Sequence, residues 1–138
     1  MADYEVEFTD NSVKCKNAIE NVCINWLEEV GGEIEAQTRR KTRVDTGQLK
    51  GSWKHVVDKG KLECTIGSPL QNAIWEEFGT GEYALKGNGR KTPWRYKDIK
   101  GKWHTTTGKK PNRALYMAFE TTKSRAESAL KILLKGLK

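Results

Sequence analysis

The stretch SVKCKNAIENVCINWLEEVGGEIEAQTRRKTRVDTGQL, residues 12–49, decides the fold. Its apolar side chains Cys15, Ile19, Val22, Cys23, Trp26, Val30 and Ile34 recur at intervals of three and four. That spacing marks an amphipathic helix. Thr9, Asp10, Asn11 and Ser12 offer N-caps, and Arg39-Arg40-Lys41 suits the negative end of a helix dipole. A helix over residues 10–43 is therefore expected, ending where Val44-Asp45-Thr46-Gly47 breaks the period. Asp45 or Thr46 can accept from a backbone N–H two residues on, fixing a turn there or capping one short helical turn. Carried to Thr42, the helix spans roughly 43 Å. A compact domain of this length has a radius of gyration of only about 14 Å. Either Gly31-Gly32 breaks the helix, or part of it projects and packs on another subunit.

Downstream, the period changes from helical to alternating. Trp53, His55 and Val57, then Leu62, Cys64 and Ile66, read as two strands around a tight Lys59-Gly60 turn, a β-hairpin over residues 52–67. Residues 72–79 are open between strand and helical turn, and Gly79-Thr80-Gly81 stops them. Residues 80–110 have no helical period. Within them Thr92–Lys97 and Lys102–Thr107 read as a second hairpin around Ile99-Lys100-Gly101. So long a connection is functional or orders only on binding. A helix over residues 111–136 follows, opened by Pro111 and Asn112 and stopped by Gly136, with a stripe through Leu115, Ala118, Phe119, Thr122, Ala126, Leu130 and Leu133. Upstream, residues 1–9 read as a short strand with Tyr4, Val6 and Phe8 on one face. The expected fold class is α+β: a long N-terminal helix and a C-terminal helix on a small antiparallel sheet, with a basic hairpin arm, as one domain over residues 1–138.

Charge separates the arm from the rest. The chain has 138 residues, 36% hydrophobic and 31% charged, and a net charge of +7. Between Lys86 and Lys110 stand nine basic residues and one acid, Asp98, so this stretch carries +8 and the remainder −1. Lys86, Arg90, Lys91, Trp94, Arg95, Tyr96, Lys97, Lys100, Lys102 and Trp103 are the candidate interface residues. Aromatics interleaved with cations suit single-stranded nucleic acid. They equally suit an acidic protein surface, where aromatics and Arg act as anchors. An exposed, solvated loop is the third reading.

Other classes find little support. No run approaches the roughly 18 apolar residues of a membrane span. Residues 1–8 lack the basic and apolar regions of a signal peptide, so a cytosolic chain is expected. Cys15 and Cys23 lie about 12 Å apart on a helix, beyond the roughly 7 Å that a disulfide tolerates. Three thiols with only His55 and His104 make a poor metal site, so no cofactor or metal is expected. Neither histidine has a nucleophile or carboxylate at a diagnostic spacing. The Glu76-Glu77 pair would need to converge to act as acid and base. A small hydrolase centred on Glu77 is thus the least supported reading, and Glu77 is expected to satisfy a backbone or Arg partner instead.

Three segments resemble one known family. Thr42-Arg43-Val44-Asp45-Thr46-Gly47-Gln48-Leu49 is similar to the "PVDTGRLR" turn of siphophage neck, tail-completion or minor tail component proteins. Ala73-Ile74-Trp75-Glu76-Glu77-Phe78-Gly79-Thr80-Gly81 resembles the family's "YAxxVEFGTG". Pro111-Asn112-Arg113-Ala114-Leu115 stands where the family has "PxPFLRPA" before its last helix. Gln71-Asn72 replaces the usual Pro-Tyr, and Ala114-Leu115 the final Phe-Leu. In order and spacing the resemblance spans about residues 10–135. It marks Val44, Asp45, Thr46, Gly47, Leu49, Glu77, Phe78, Gly79 and Thr80 as structural motif residues. It implies a non-enzymatic subunit of a homo-oligomeric ring in the virion tail or neck, built in the host cytoplasm. The implied partners are head-completion or connector, tail tube or tail terminator proteins, with weak non-specific DNA contact and no membrane.

Overall fold

The computed structural model describes residues 6–44 and 47–137. Asp45 and Thr46, expected to fix the turn, and Tyr4 of the expected first strand lie outside the described residues. Residues 6–10 form no strand.

Helix α1 runs unbroken from Ser12 to Lys41. Gly31 and Gly32 do not break it, which settles that alternative. Their role is close approach: a Cβ on Gly31 would lie 2.6 Å from Cys64 Sγ and 3.0 Å from His55 Cδ2. The glycine pair is a notch into which the first hairpin presses. That hairpin consists of β1, Lys54–Asp58, and β2, Glu63–Gly67, in antiparallel register with His55 opposite Ile66 and Val57 opposite Cys64. These four half-buried residues form the helix-facing side, while Val56 on the other side is 67% exposed. The connection is four residues long, not a two-residue turn. The Asp58 carboxylate accepts from the N–H groups of Gly60 and Lys61, at 3.0 and 3.1 Å, which holds the wider loop.

Trp53, expected in the first strand, instead follows the short helix α2, Gln48–Ser52. It is buried with Leu49 and Ala73 in the central apolar cluster, against which Leu70 and Leu115 pack. Its indole N–H donates to Thr42 Oγ1 at 2.9 Å. The Thr42 hydroxyl donates in turn to the Thr38 carbonyl, and Thr38 to Ile34, at 2.6 and 2.7 Å. The end of α1 is thereby tied to the chain that turns back beneath it.

Helix α4, Ala114–Lys135, runs antiparallel to α1. Asn112, just before it, bonds the Lys41 carbonyl at 2.8 Å, and the Ala126 carbonyl accepts from the Trp26 indole at 2.8 Å. The Glu33–Arg125 ion pair lies between these two contacts. Ala114, Ala118, Thr122 and Ala126 are the buried face of α4, spaced by four, and α4 packs along α1. Of the larger members of the expected stripe, Phe119 and Leu133 turn outward, 48% and 42% exposed, while Leu115 packs against the central cluster.

The remaining elements are α3, Asn72–Phe78, and a second hairpin of β3, Trp94–Lys97, and β4, Trp103–Thr106. Residues 72–79 thus resolve as a helix. The class is α+β as expected: among the described residues the strands form two separate two-stranded antiparallel sheets, the first hairpin and the hairpin of the arm.

Candidate functional site

Two arrangements stand out. The first is a polar clasp where the far end of α1, the helix α3 and the start of α4 meet. Helix α3 is only seven residues long, yet Glu76 and Glu77 on it are both 8% exposed. Burying carboxylates is costly unless they are paired and hydrogen-bonded, and both are. Glu76 accepts from Arg43 Nε at 3.2 Å and from the Lys109 ammonium. Arg43 also donates to the Lys110 carbonyl at 2.8 Å. Glu77 accepts from the backbone N–H groups of Leu115 and Tyr116, at 3.1 and 3.0 Å, and lies 3.7 Å from Arg113 Nε. Those amides belong to the first turn of α4, which carries no side-chain cap of its own. Glu77 therefore caps α4 from another element, where a negative charge also meets the positive end of the helix dipole. Arg113 enters α4 in a left-handed conformation, φ +57°. Its guanidinium lies over Tyr116, 4.3 Å away, and over Phe78 at 5.6 Å, and these contacts hold a conformation that a non-glycine residue seldom adopts.

The same α3 residues launch the arm. Thr80 and Lys109 exchange backbone bonds at 2.9 and 3.3 Å, and Thr80 Oγ1 accepts from the Lys109 N–H at 2.9 Å. Gly79 and Gly81 both have positive φ, +76° and +60°. At Gly81 a side chain would collide with the Thr107 carbonyl and with Gly108, so the two legs of the arm cross here backbone to backbone.

The arm is the second arrangement. In its sheet Trp94 lies opposite Thr106, Arg95 opposite Thr105, Tyr96 opposite His104 and Lys97 opposite Trp103. Alternation gives it two unlike faces. Trp94, Tyr96 and Thr106 line a cleft of about 770 Å³ together with Trp75, Thr80 and Lys109. Tyr96 stacks on His104 at 5.3 Å. The opposite face sets Trp103, 56% exposed, beneath Arg95 and Lys97, 5.4 and 6.0 Å from its ring. At the tip Asp98 accepts from the Lys102 N–H and bonds His104 Nε2, at 2.8 and 2.7 Å. The His104 bond, then the Lys102 amide, holds the Asp98 carboxyl below its ordinary range.

A match to a family model adds to this geometry. Residues 7–79 match the model described as "Bacteriophage HK97-gp10, putative tail-component". That covers more than half of the chain. The chain belongs to the HK97-gp10-like family. Membership carries a structural role in the phage tail. Comparisons with curated proteins and with solved structures give no match. The HK97-gp10-like match ends at Gly79, the residue from which the arm departs.

Among the motif residues of this HK97-gp10-like chain, Leu49 is buried, Val44 is 61% exposed and Gly47 opens α2 at φ +81°. Asp45 and Thr46 lie outside the described residues. Of the interface candidates, Lys86 sits over Phe78 at 4.5 Å and Arg90 over Trp94 at 5.8 Å. Lys91, Lys100 and Lys102 are exposed on the loop and tip. The candidates are not one patch: the hairpin puts Trp94 and Tyr96 on one face and Arg95, Lys97 and Trp103 on the other.

Sequence reading missed the partners that complete the clasp. Arg43 and Glu76 lie inside quoted motifs, but their pairing is long-range and has no local signal. It also missed His55, whose Nδ1 hydrogen-bonds Glu35 and whose Nε2 hydrogen-bonds Glu28, the latter at 3.2 Å. Those carboxylates are seven apart on α1 and flank the glycine notch. Hydrogen bonding to Glu35 raises the His55 pKa above its ordinary 6.5, against the opposing effect of burial. The same bond, with Arg39 adding its charge, lowers the Glu35 pKa. Burial, with the Glu28 charge beside it, pushes the Cys64 thiol up. Among the described residues no group of His, Cys, Asp and Glu is arranged to hold a metal, and no helix is long and apolar enough to cross a membrane.

Proposed function

We propose that this tail component acts in tail completion or head–tail joining, as a non-catalytic subunit of an oligomeric ring. The observation that carries the proposal is the poverty of its own core. Among the described residues only Ile34, Leu49 and Trp53 are large apolar side chains that are buried, while 21 large apolar or aromatic ones are exposed. Scattered exposed apolar residues are ordinary, but these also gather. Ile74, Tyr116 and Phe119, 60%, 45% and 48% exposed, rim an apolar groove of about 510 Å³. Contiguous apolar surface of this kind marks an interface. The two buried glutamates give no catalytic pair, since ion partners and amides occupy both.

In this reading the arm, residues 80–110, docks on a neighbouring subunit or on a head-completion, connector, tail tube or tail terminator protein. Assembly takes place in the host cytoplasm and the product resides in the virion tail or neck. The test is mass in solution, alone and with each junction protein. A discrete closed multimer or a stoichiometric complex is expected. A chain that stays monomeric with every one of them overturns the proposal.

One observation favours a second reading. Trp103 between Arg95 and Lys97 is a stacking surface for single-stranded nucleic acid. Strong quenching of Trp fluorescence by single-stranded DNA, lost steeply with salt, would favour it. The ring reading expects only weak, non-specific contact.

A further inference from the structure

The first residues of the chain and the arm carry matching period-two patterns. Residues 3–8 read Asp-Tyr-Glu-Val-Glu-Phe: acids at 3, 5 and 7, apolar side chains at 4, 6 and 8. Strand β3 alternates too, with Trp94 and Tyr96 toward the cleft and Arg95 and Lys97 toward the face that holds Trp103. Residues opposite one another on neighbouring strands share a face. An extended 3–8 segment beside β3 therefore sets apolar groups against aromatics and carboxylates against cations in the same register. A slip of one residue reverses both. Strand β4 presents no cation at its own positions, Trp103, His104, Thr105 and Thr106.

Room exists for such a strand. Among the described residues β3 pairs with β4 alone, and no other backbone bond reaches it. Val6 and Phe8 are 87% and 86% exposed, so the body of the same chain does not cover them. Residues 3–10 hold four acids and no base, against +8 over residues 86–110.

The segment lies far from the base of the arm in its own chain. The arm's base is tied to the far end of α1, where Asn112 bonds the Lys41 carbonyl. Thirty helical residues place that point roughly 45 Å from Ser12. Only residues 9–11 separate Phe8 from the helix, a reach of about 13 Å. We infer that residues 3–8 of one copy add as a third strand to β3 of a second copy. Main-chain bonds then supply affinity, and the two alternating faces supply specificity. Such a contact joins unlike surfaces head to tail, the type that closes into a ring. The inference rests on the self-association proposed above and names its contact.

The test titrates a synthetic peptide of residues 1–11 onto the chain lacking residues 2–9. That variant keeps Asp10, which caps the Ser12 N–H at 2.9 Å, and the first α1 bond from Cys15 to Asn11. Saturable binding is expected by calorimetry. Joint Arg95→Glu and Lys97→Glu weakens it about tenfold, and a peptide carrying Glu5→Lys and Glu7→Lys restores it on that variant. No binding, or binding indifferent to both reversals, overturns the inference. Sedimentation of the full chain separates the two proposals. Closed multimers that form equally well without residues 2–9 overturn the strand contact and leave the ring standing. Peptide binding by a chain that never closes into a discrete multimer overturns the ring and keeps the contact.

Discussion

The clasp and the arm adjoin at Gly79–Gly81 and follow opposite rules. In the clasp every carboxylate oxygen has a partner, both glutamates are buried, and each contact joins segments distant in sequence. In the arm the cations lie over aromatic rings that are themselves half exposed, and the hairpin presents two faces to solvent. The clasp spends its charges on holding one structure together, whereas the arm leaves its charges available. Polar groups satisfied internally specify a frame. Groups left open specify what can bind to it. The motif residues Glu77, Gly79 and Thr80 therefore serve the frame, and the proposed binding surface follows them in the chain.

The comparison breaks most readily where the two regions join. Gly81→Ala should lower stability by more than about 3 kcal/mol, because a side chain at φ +60° meets the Thr107 carbonyl and Gly108. Gly87→Ala is the control. Gly87 also has positive φ, +69°, but nothing stands within 4 Å, so only about 1 kcal/mol is expected. Thermal unfolding of the pair checks both. Equal losses would show that the crossing of the arm's legs is not what the glycine serves.

Next comes the cap. Glu77→Ala leaves two amides of the α4 first turn and the Arg113 charge without their partner, at a cost of about 2–3 kcal/mol. Glu77→Gln keeps an acceptor and should cost about 1 kcal/mol. Hydrogen exchange should show Leu115 and Tyr116 as the first amides to lose protection. Protection unchanged in Glu77→Ala would deny Glu77 its capping role.

A third effect, about 1 kcal/mol, belongs to the hairpin pressed into the glycine notch. The His55 pKa is raised, so its contribution is fully present below its ordinary 6.5 and fades as pH rises through the raised value. The Glu35 pKa is lowered, so its contribution is present above its ordinary 4.5 and fades as pH falls through the lowered value. Docking of the hairpin should be strongest between about pH 4.5 and 6.5. His55→Gln should flatten that profile in chemical denaturation. An unchanged profile would place the pH dependence elsewhere.

What could be read from sequence followed from what is local. The helical period expected over residues 10–43 and the alternation expected over 52–67 are properties of neighbouring residues, and the structure forms a helix over Ser12–Lys41 and strands over Lys54–Asp58 and Glu63–Gly67. Gly31-Gly32 was ambiguous because a helix break and a close approach use the same residue, and only the position of Cys64 and His55 distinguishes them. Residues 72–78 were ambiguous because seven residues are too few to separate a period of 2 from one of 3.6. The outward turn of Phe119 and Leu133 was hidden because alanines and threonine, not the large residues, face α1. The clasp was illegible as a network, since each of its bonds closes a loop of more than thirty residues. The capping of α4 by Glu77 was nonetheless foreshadowed by the expectation of a backbone or Arg partner for it.

The smallest stability effect is the sharpest probe of the comparison. Arg95→Glu with Lys97→Glu alters two exposed side chains whose only described contacts are with the Trp103 ring. Exposed cation–π contacts are worth about 0.5–1 kcal/mol, and surface substitutions usually fall within about 0.5 kcal/mol. Thermal unfolding should therefore move little. Assembly should respond strongly, because the reversal replaces two cations by acids on the face proposed to meet carboxylates. A variant that unfolds like the parent yet no longer forms multimers would separate frame from contact in one molecule. If stability fell as far as in Glu77→Ala, the arm would be part of the frame, and the division between the two regions would not hold.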